Sequence, residues 1–181
     1  FHEIHEQHAL KEKNKQMFLD RARQFGDIPD SLDINLKMAS YPHTQWMLGQ
    51  LTAKLTRIAN TPLETPKDKQ KPLADAEKPW KLPGELLVSM APDVGTSTNL
   101  NPAMDGHIFG AEITEDIESH LKVKDRKTPD LVPGEDKSDR FIRFDIQEQN
   151  VMSCMGSYGR MRDTLGIPLL PLMTVYDFFI K

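Results

Sequence analysis

Glu148 is the residue whose position in the sequence best suits acid–base chemistry. It follows a predicted strand at 141–144, lies at the start of a predicted helix over 147–161 and has the apolar neighbours Ile146 and Val151. An acid at the amino end of a helix interacts favourably with the helix dipole, so capping is one interpretation. The other is a carboxylate in a partly apolar pocket that shares a proton with a ligand nitrogen. The residue pattern supports the two interpretations equally.

Histidine and cysteine offer weaker candidates for chemistry. His2, His5 and His8 are spaced by three residues, so one helix face would carry all three and could chelate a metal ion. A solvated, charged helix explains the same spacing, and because no further ligand cluster accompanies these histidines we predict no metal site. Cys154 lies in the middle of the predicted helix among methionines, where buried packing is favoured over a nucleophilic role.

Composition limits the classes of function. The 181 residues include 23 Lys and Arg against 27 Asp and Glu, a formal net charge of -4 that argues against nucleic-acid binding. No apolar run approaches the ~18–20 residues that a membrane helix needs. The first residues carry neither the basic leader nor the apolar segment of a signal peptide, and the single cysteine excludes an intrachain disulfide. We therefore expect a cytoplasmic protein with no nucleic-acid or membrane partner.

The amino-terminal half predicts two helices and a linker. A charged helix with a sparse apolar stripe is expected over 3–25, on the surface or against a partner domain. Apolar residues three and four apart predict a second helix, preceded by Pro42 and closed by Asn60. Residues 61–84 contain five prolines among many charges, so we expect a linker or insertion through which no helix or central strand runs.

The carboxyl-terminal half predicts an α/β fold. Apolar runs at 86–90, 141–144 and 168–175 indicate strands. The helix between the last two strands would carry Val151, Met152, Met155 and Tyr158 on one side. A strand–helix–strand unit implies a parallel sheet. A further apolar pattern begins at Tyr176 and the sequence stops soon after it, so we expect a truncated piece of a larger protein.

Three segments resemble one family of enzymes. The first, at 91–100, is APDVGTSTNL and resembles a strand and loop of transketolase-like pyrimidine-binding domains. The second, at 143–151, is RFDIQEQNV and resembles a motif in which a glutamate follows a strand and opens a helix. The third, at 169–180, is LLPLMTVYDFFI and resembles the next strand and an aromatic helix start. In order and separation they resemble thiamine-diphosphate enzymes of the transketolase and 2-oxoacid dehydrogenase E1 superfamily, and homodimeric pyruvate dehydrogenase E1 most closely.

The resemblance implies roles for five residues. Glu148 would hydrogen-bond a ring nitrogen of the cofactor's aminopyrimidine and share a proton there, which activates the thiazolium carbon. Tyr176, Phe178 and Phe179 would stack on the pyrimidine ring, and Asp93 would line the same site or the dimer contact. The implied cofactors are thiamine diphosphate and Mg²⁺. A separate domain would hold the Mg²⁺ and the diphosphate, because its Gly-Asp-Gly and Asn signature is missing from this sequence.

The resemblance also implies a domain organisation and partners. Residues 1–41 would form an inter-domain helical segment, and 42–181 a truncated pyrimidine-binding domain with a parallel sheet flanked by helices. We expect a homodimer that acts on a 2-oxo acid, with pyruvate as the first choice of substrate, and that has a lipoyl-bearing acyltransferase component as a partner. The fragment alone would be inactive. The alternatives are ketol transfer by a transketolase or phosphoketolase relative, and a non-catalytic interaction module that keeps the fold.

Overall fold

Helices and a small parallel sheet make up the described part of the chain. The structure is a computed structural model, and it describes residues 2–34, 44–64, 71–92, 100, 141–144 and 146–176. In chain order these ranges contain α1 (His2–Phe25), α2 (Thr44–Asn60), a 3-10 helix (Asp75–Trp80), α3 (Lys81–Leu86), β1 (Leu87–Ala91), β2 (Phe141–Arg143), α4 (Glu148–Gly159), α5 (Met161–Leu165) and β3 (Leu170–Met173).

The sheet has the strand order β2-β1-β3, and both pairings are parallel. Ser89 in the central strand lies opposite Phe141 of β2 and Leu172 of β3. After β2 the chain passes through α4 and α5 and crosses β1 to reach β3. The expected parallel sheet and the three expected strands are therefore confirmed, within an architecture of mixed helix and strand that is compatible with the α/β class.

Each face of β1 contributes to a separate part of the core. Val88 and Met90 pack with Val151 of α4, whereas Ala91 packs with Phe141 and Leu100. Successive side chains of a strand point to opposite faces, so the whole of β1 is buried and its sequence is apolar apart from a single serine. A strand buried on both faces explains why a continuous apolar run, rather than an alternating one, marked its position.

The buried side of α4 differs at one residue from the expected one. Val151 is fully buried, and Cys154, Met155 and Tyr158 pack around it, as expected. Met152 is 46 % exposed, so its assignment to the packed side is wrong. The reason is geometric, because residue 152 is rotated by about 100° from residue 151, whereas 154, 155 and 158 follow it at intervals of three, four and seven.

Apart from Ile58, the residues of α2 that face the core are small. The helix occupies the expected range, but its buried residues are Gly49, Thr52, Thr56, Ile58 and Ala59. The two threonine hydroxyls donate to backbone carbonyls one turn earlier, so neither is unpaired inside the protein. The small side chains let α3 come close: a Cβ on Gly84 would lie 2.5 Å from the backbone oxygen of Leu55.

The proline-rich segment contains helical structure, so the expectation that no helix runs through 61–84 is wrong. The 3-10 helix and α3 together cover residues 75–86. Pro83 is the third residue of α3, in the first turn, where backbone N–H groups have no helical acceptor in any case. Leu73 and Leu82 are buried, and they hold this segment against the core.

A buried lysine joins α3 to the end of α2. Lys81 is 8 % exposed, and its Nζ donates to the backbone oxygens of Ile58 at 3.3 Å, Ala59 at 2.6 Å and Thr61 at 2.7 Å. A helix leaves its last carbonyl groups without partners, and its carboxyl end carries partial negative charge. The ammonium group therefore satisfies the end of α2 both as a donor and as a charge.

Two contacts fasten α1 to the rest of the described structure. Arg21 forms an ion pair with Glu85 of α3, whose other oxygen lies 3.7 Å from the Lys81 ammonium. Nearer the middle of α1, the Asn14 side chain donates to the backbone oxygen of Leu165 at the end of α5, at 2.8 Å. The inner face of α1 thus carries polar residues beside Phe18 and Phe25, which explains why its apolar stripe looked sparse in the sequence.

Candidate functional site at the carboxyl edge of the sheet

The carboxyl ends of the three parallel strands lie at one edge of the sheet. Beyond the ladder itself, Phe144 N–H donates to the Ala91 oxygen at 3.0 Å, and Thr174 N–H donates to the Met90 oxygen at 3.3 Å. These bonds keep the residues that follow β2 and β3 close to the end of β1. In open α/β sheets ligands bind outside this edge, which makes it the candidate site.

Glu148 is the first residue of α4 and is half-buried. The helix is fixed below it by Val151, which is fully buried, but Ile146 is 75 % exposed. The Ile146 side chain therefore lies largely in solvent and adds no apolar enclosure to the Glu148 carboxylate. Within the described ranges the Glu148 carboxylate makes no hydrogen bond and no ion pair.

An aromatic residue reaches the same edge from β3. Tyr176 comes three residues after the strand ends at Met173 and is half-buried. Glu148 and Tyr176 thus follow two different strands of one sheet, and the parallel topology brings both to its carboxyl edge. The other residues expected at the site, Asp93, Phe178 and Phe179, lie outside the described residues.

The carboxyl-terminal turns of α4 belong to the core rather than to this edge. Tyr158 lies ten residues beyond Glu148, about 15 Å along the helix. Burial raises the pKa of Tyr158 above its ordinary value, and the neighbouring Cys154 raises it further. Cys154 packs against the buried Val151 cluster. This position agrees with the packing role expected for the cysteine.

An amide pair beside Glu148 was missed by the sequence reasoning. Gln147 is the residue that precedes α4, and its Oε1 accepts a hydrogen bond from the side-chain nitrogen of Asn150. Side chains favoured at this position are Ser, Thr, Asp and Asn, so a glutamine carries no recognisable capping signal. The spacing of three between the two amides is the one feature of the sequence that could have indicated the pair.

The described part of the chain contains neither a metal-binding cluster nor a membrane-spanning helix. No group of three or more His, Cys, Asp or Glu side chains there could hold a metal ion. His5 and His8 are exposed on α1. Among the described helices, none has both the length and the apolar character needed to cross a membrane.

Comparison with known proteins adds no relative. No protein-family model, no curated protein and no solved structure matches this chain. The class that the structure defines is therefore the coarse one, a mixed helix and strand protein with a small parallel sheet flanked by helices.

Proposed function

We propose that this chain is the pyrimidine-binding part of a thiamine-diphosphate-dependent 2-oxo acid dehydrogenase E1 component, with pyruvate as the first candidate substrate. The observation that best supports it is the position of Glu148. The carboxylate opens a helix that follows a parallel strand, at the carboxyl edge of the sheet to which Tyr176 also belongs. The described parts of the three sequence segments that resemble this enzyme family include the last residues of β1, β2 and β3.

The residues present fit the pyrimidine end of the cofactor. The Glu148 carboxylate is half-buried and has no partner within the described residues, so its oxygens can accept a hydrogen bond from a protonated ring nitrogen. Tyr176 is half-buried at the same edge, where an aromatic face can cover a flat ring. In this proposal the diphosphate and its Mg²⁺ are bound by a different domain.

The chemistry assigned to this chain is proton exchange. Thiamine diphosphate, when bound, supplies a thiazolium carbon that adds to the 2-oxo acid and accepts electrons as carbon dioxide leaves. Glu148 would hold a proton at the pyrimidine ring nitrogen and exchange it as the cofactor is activated. Tyr176 would orient the ring and keep water from its face.

Substitution of Glu148 in the full-length protein tests the proposal. With thiamine diphosphate, Mg²⁺ and pyruvate, we expect reduction of an artificial electron acceptor, and we expect Glu148→Gln to lower kcat by about 100-fold or more. The amide keeps the size of the side chain, so helix content should not change. Glu12→Gln is the matched control, because Glu12 is exposed on α1 and its ion pair with Lys15 spans 3.7 Å.

Each result has a distinct meaning. Full turnover by Glu148→Gln would contradict the proton-exchange role. Cofactor binding without pyruvate turnover would redirect the assignment to another 2-oxo acid or to ketol transfer of the transketolase or phosphoketolase type. Absence of thiamine diphosphate binding in the full-length protein would favour a non-catalytic interaction module.

A further inference from the structure

The first turn of α4 is closed by two kinds of bond around Glu148. The backbone of Gln147, at φ -146° and ψ 59°, turns the chain from β2 into the helix. Its carbonyl oxygen then accepts the N–H of Asn150 at 3.0 Å and the N–H of Val151 at 3.1 Å. These backbone bonds set the direction of the helix but leave the side chains of the turn unconstrained.

A side-chain bond closes the same turn a second time. Asn150 Nδ2 donates to Gln147 Oε1, so this side-chain bond spans Glu148 and Gln149. Gln147 makes no side-chain hydrogen bond to a backbone N–H of the helix. Its side chain is thus joined to Asn150 and does not act as an ordinary helix cap.

The third restraint on this turn comes from the core. Val151 is fully buried between α4 and β1, where it packs with Val88 and Met90. Gln147 and Asn150 are exposed, and Glu148 is half-buried between solvent and the protein. The core therefore holds one side of the turn, and the amide bridge holds the side that faces solvent.

We propose that Gln147 and Asn150 are positioning residues that hold the Glu148 carboxylate in the orientation needed for proton exchange. The inference rests on the proposed function. A displacement of a reacting group by about 1 Å can lower a rate by about 100-fold. A hydrogen bond between neutral groups changes a conformational equilibrium by about 2- to 10-fold. Loss of the bridge should therefore lower kcat by about 2- to 10-fold, because more molecules would have the first turn of α4 in a conformation that misplaces the Glu148 carboxylate.

The test is a double-mutant cycle in the full-length holoenzyme. Gln147→Met and Asn150→Leu each remove one end of the bridge at similar volume, and the double variant removes both. If the bridge acts as a unit, each single variant and the double variant lose the same 2- to 10-fold in kcat, with KM and helix content unchanged. Gln149→Met is the matched control: Gln149 is the exposed neighbour in the same turn, and we expect no change in kcat.

The other results overturn the proposal in distinguishable ways. If the decrease in kcat of the double variant equals the product of the decreases of the two single variants, each amide acts by itself. If the single variants have the same kcat as Gln149→Met, the bridge has no role. In either case an inactive Glu148→Gln leaves the proposed function standing. A wild-type protein without thiamine-diphosphate-dependent turnover overturns both the positioning role and the proposed function.

Discussion

Replacement of Lys81 tests the arrangement of charges that joins the helices. Lys81 is 8 % exposed, and its ammonium is the partner of three backbone oxygens at and just beyond the end of α2. Lys81→Met keeps an unbranched apolar stem of similar length but removes the charge and all three donors. The ion pair between Glu85 and Arg21 is left in place, so the substitution does not leave an isolated carboxylate.

The size of the effect follows from what is left unpaired. A buried carbonyl group that loses its partner costs about 1–3 kcal/mol, and hydrogen bonds to charged donors are at the upper end of that range. Methionine also removes the unfavourable burial of an ammonium group, which offsets part of the loss. We therefore expect the free energy of unfolding to fall by about 2–4 kcal/mol. For a chain of this length that corresponds to a decrease in Tm of about 5–15 °C.

Thermal and urea unfolding of the 181-residue chain, followed by circular dichroism and by tryptophan fluorescence, would measure this loss. Trp80 precedes Lys81 directly and reports on the same junction. The matched control is Lys78→Met, because Lys78 is three residues away and forms an ion pair with the exposed Asp75 at 2.6 Å. That control should leave Tm unchanged. Equal Tm values for the two variants would show that the ammonium does not hold the end of α2.

Glycine substitutions test two close approaches between helices. Gly84→Ala places a Cβ 2.5 Å from a backbone oxygen of α2 and should destabilise the chain by about 1–3 kcal/mol. Gly156→Ala, whose Cβ would have no atom within contact distance, should stabilise the chain by about 0.5–1 kcal/mol. If the denaturant midpoints of the two variants shift in the same direction, the packing of α2 on α3 is contradicted. Gly166 and Gly26 both have positive φ, at 72° and 75°. A Cβ on Gly166 would also lie 2.2 Å from a backbone oxygen of α1, so Gly166→Ala should lose about 1–3 kcal/mol more than Gly26→Ala, and equal losses would mean that α1 does not dock there.

Local patterns were sufficient to predict the elements that carry their own signal. The apolar run at 86–90 predicted β1, because a strand covered on both faces must be apolar throughout. Likewise, spacings of three and four predicted the helices that the structure begins at Thr44 and at Glu148. The proline count misled at 81–86, since a proline is excluded from the interior of an α-helix but tolerated in its first turn, where Pro83 lies.

For the candidate site, the sequence predicted position but not surroundings. It indicated that Glu148 opens a helix after a strand, and the structure confirms that location. It also placed Glu148 between the apolar Ile146 and Val151, of which Val151 is fully buried and Ile146 is 75 % exposed. The period of a helix predicts which residues share a face, but a residue outside the helix takes its exposure from the bend of the chain. The role of Glu148 in proton exchange stays a prediction.

What the sequence determined by itself was the three strands and the helices α1, α2 and α4, and through the strand–helix–strand order the parallel direction of the sheet. Tertiary structure decided which polar groups are buried and what they contact. Lys81 lies in a highly charged segment, and its burial depends on carbonyl groups at and just beyond the end of α2, 20 to 23 residues earlier in the chain. Likewise, the inner face of α1 is specified by Asn14 and Arg21, which contact α5 and α3. Hydropathy reports the transfer of a side chain from water, whereas the burial of a charge requires partners that folding alone brings together.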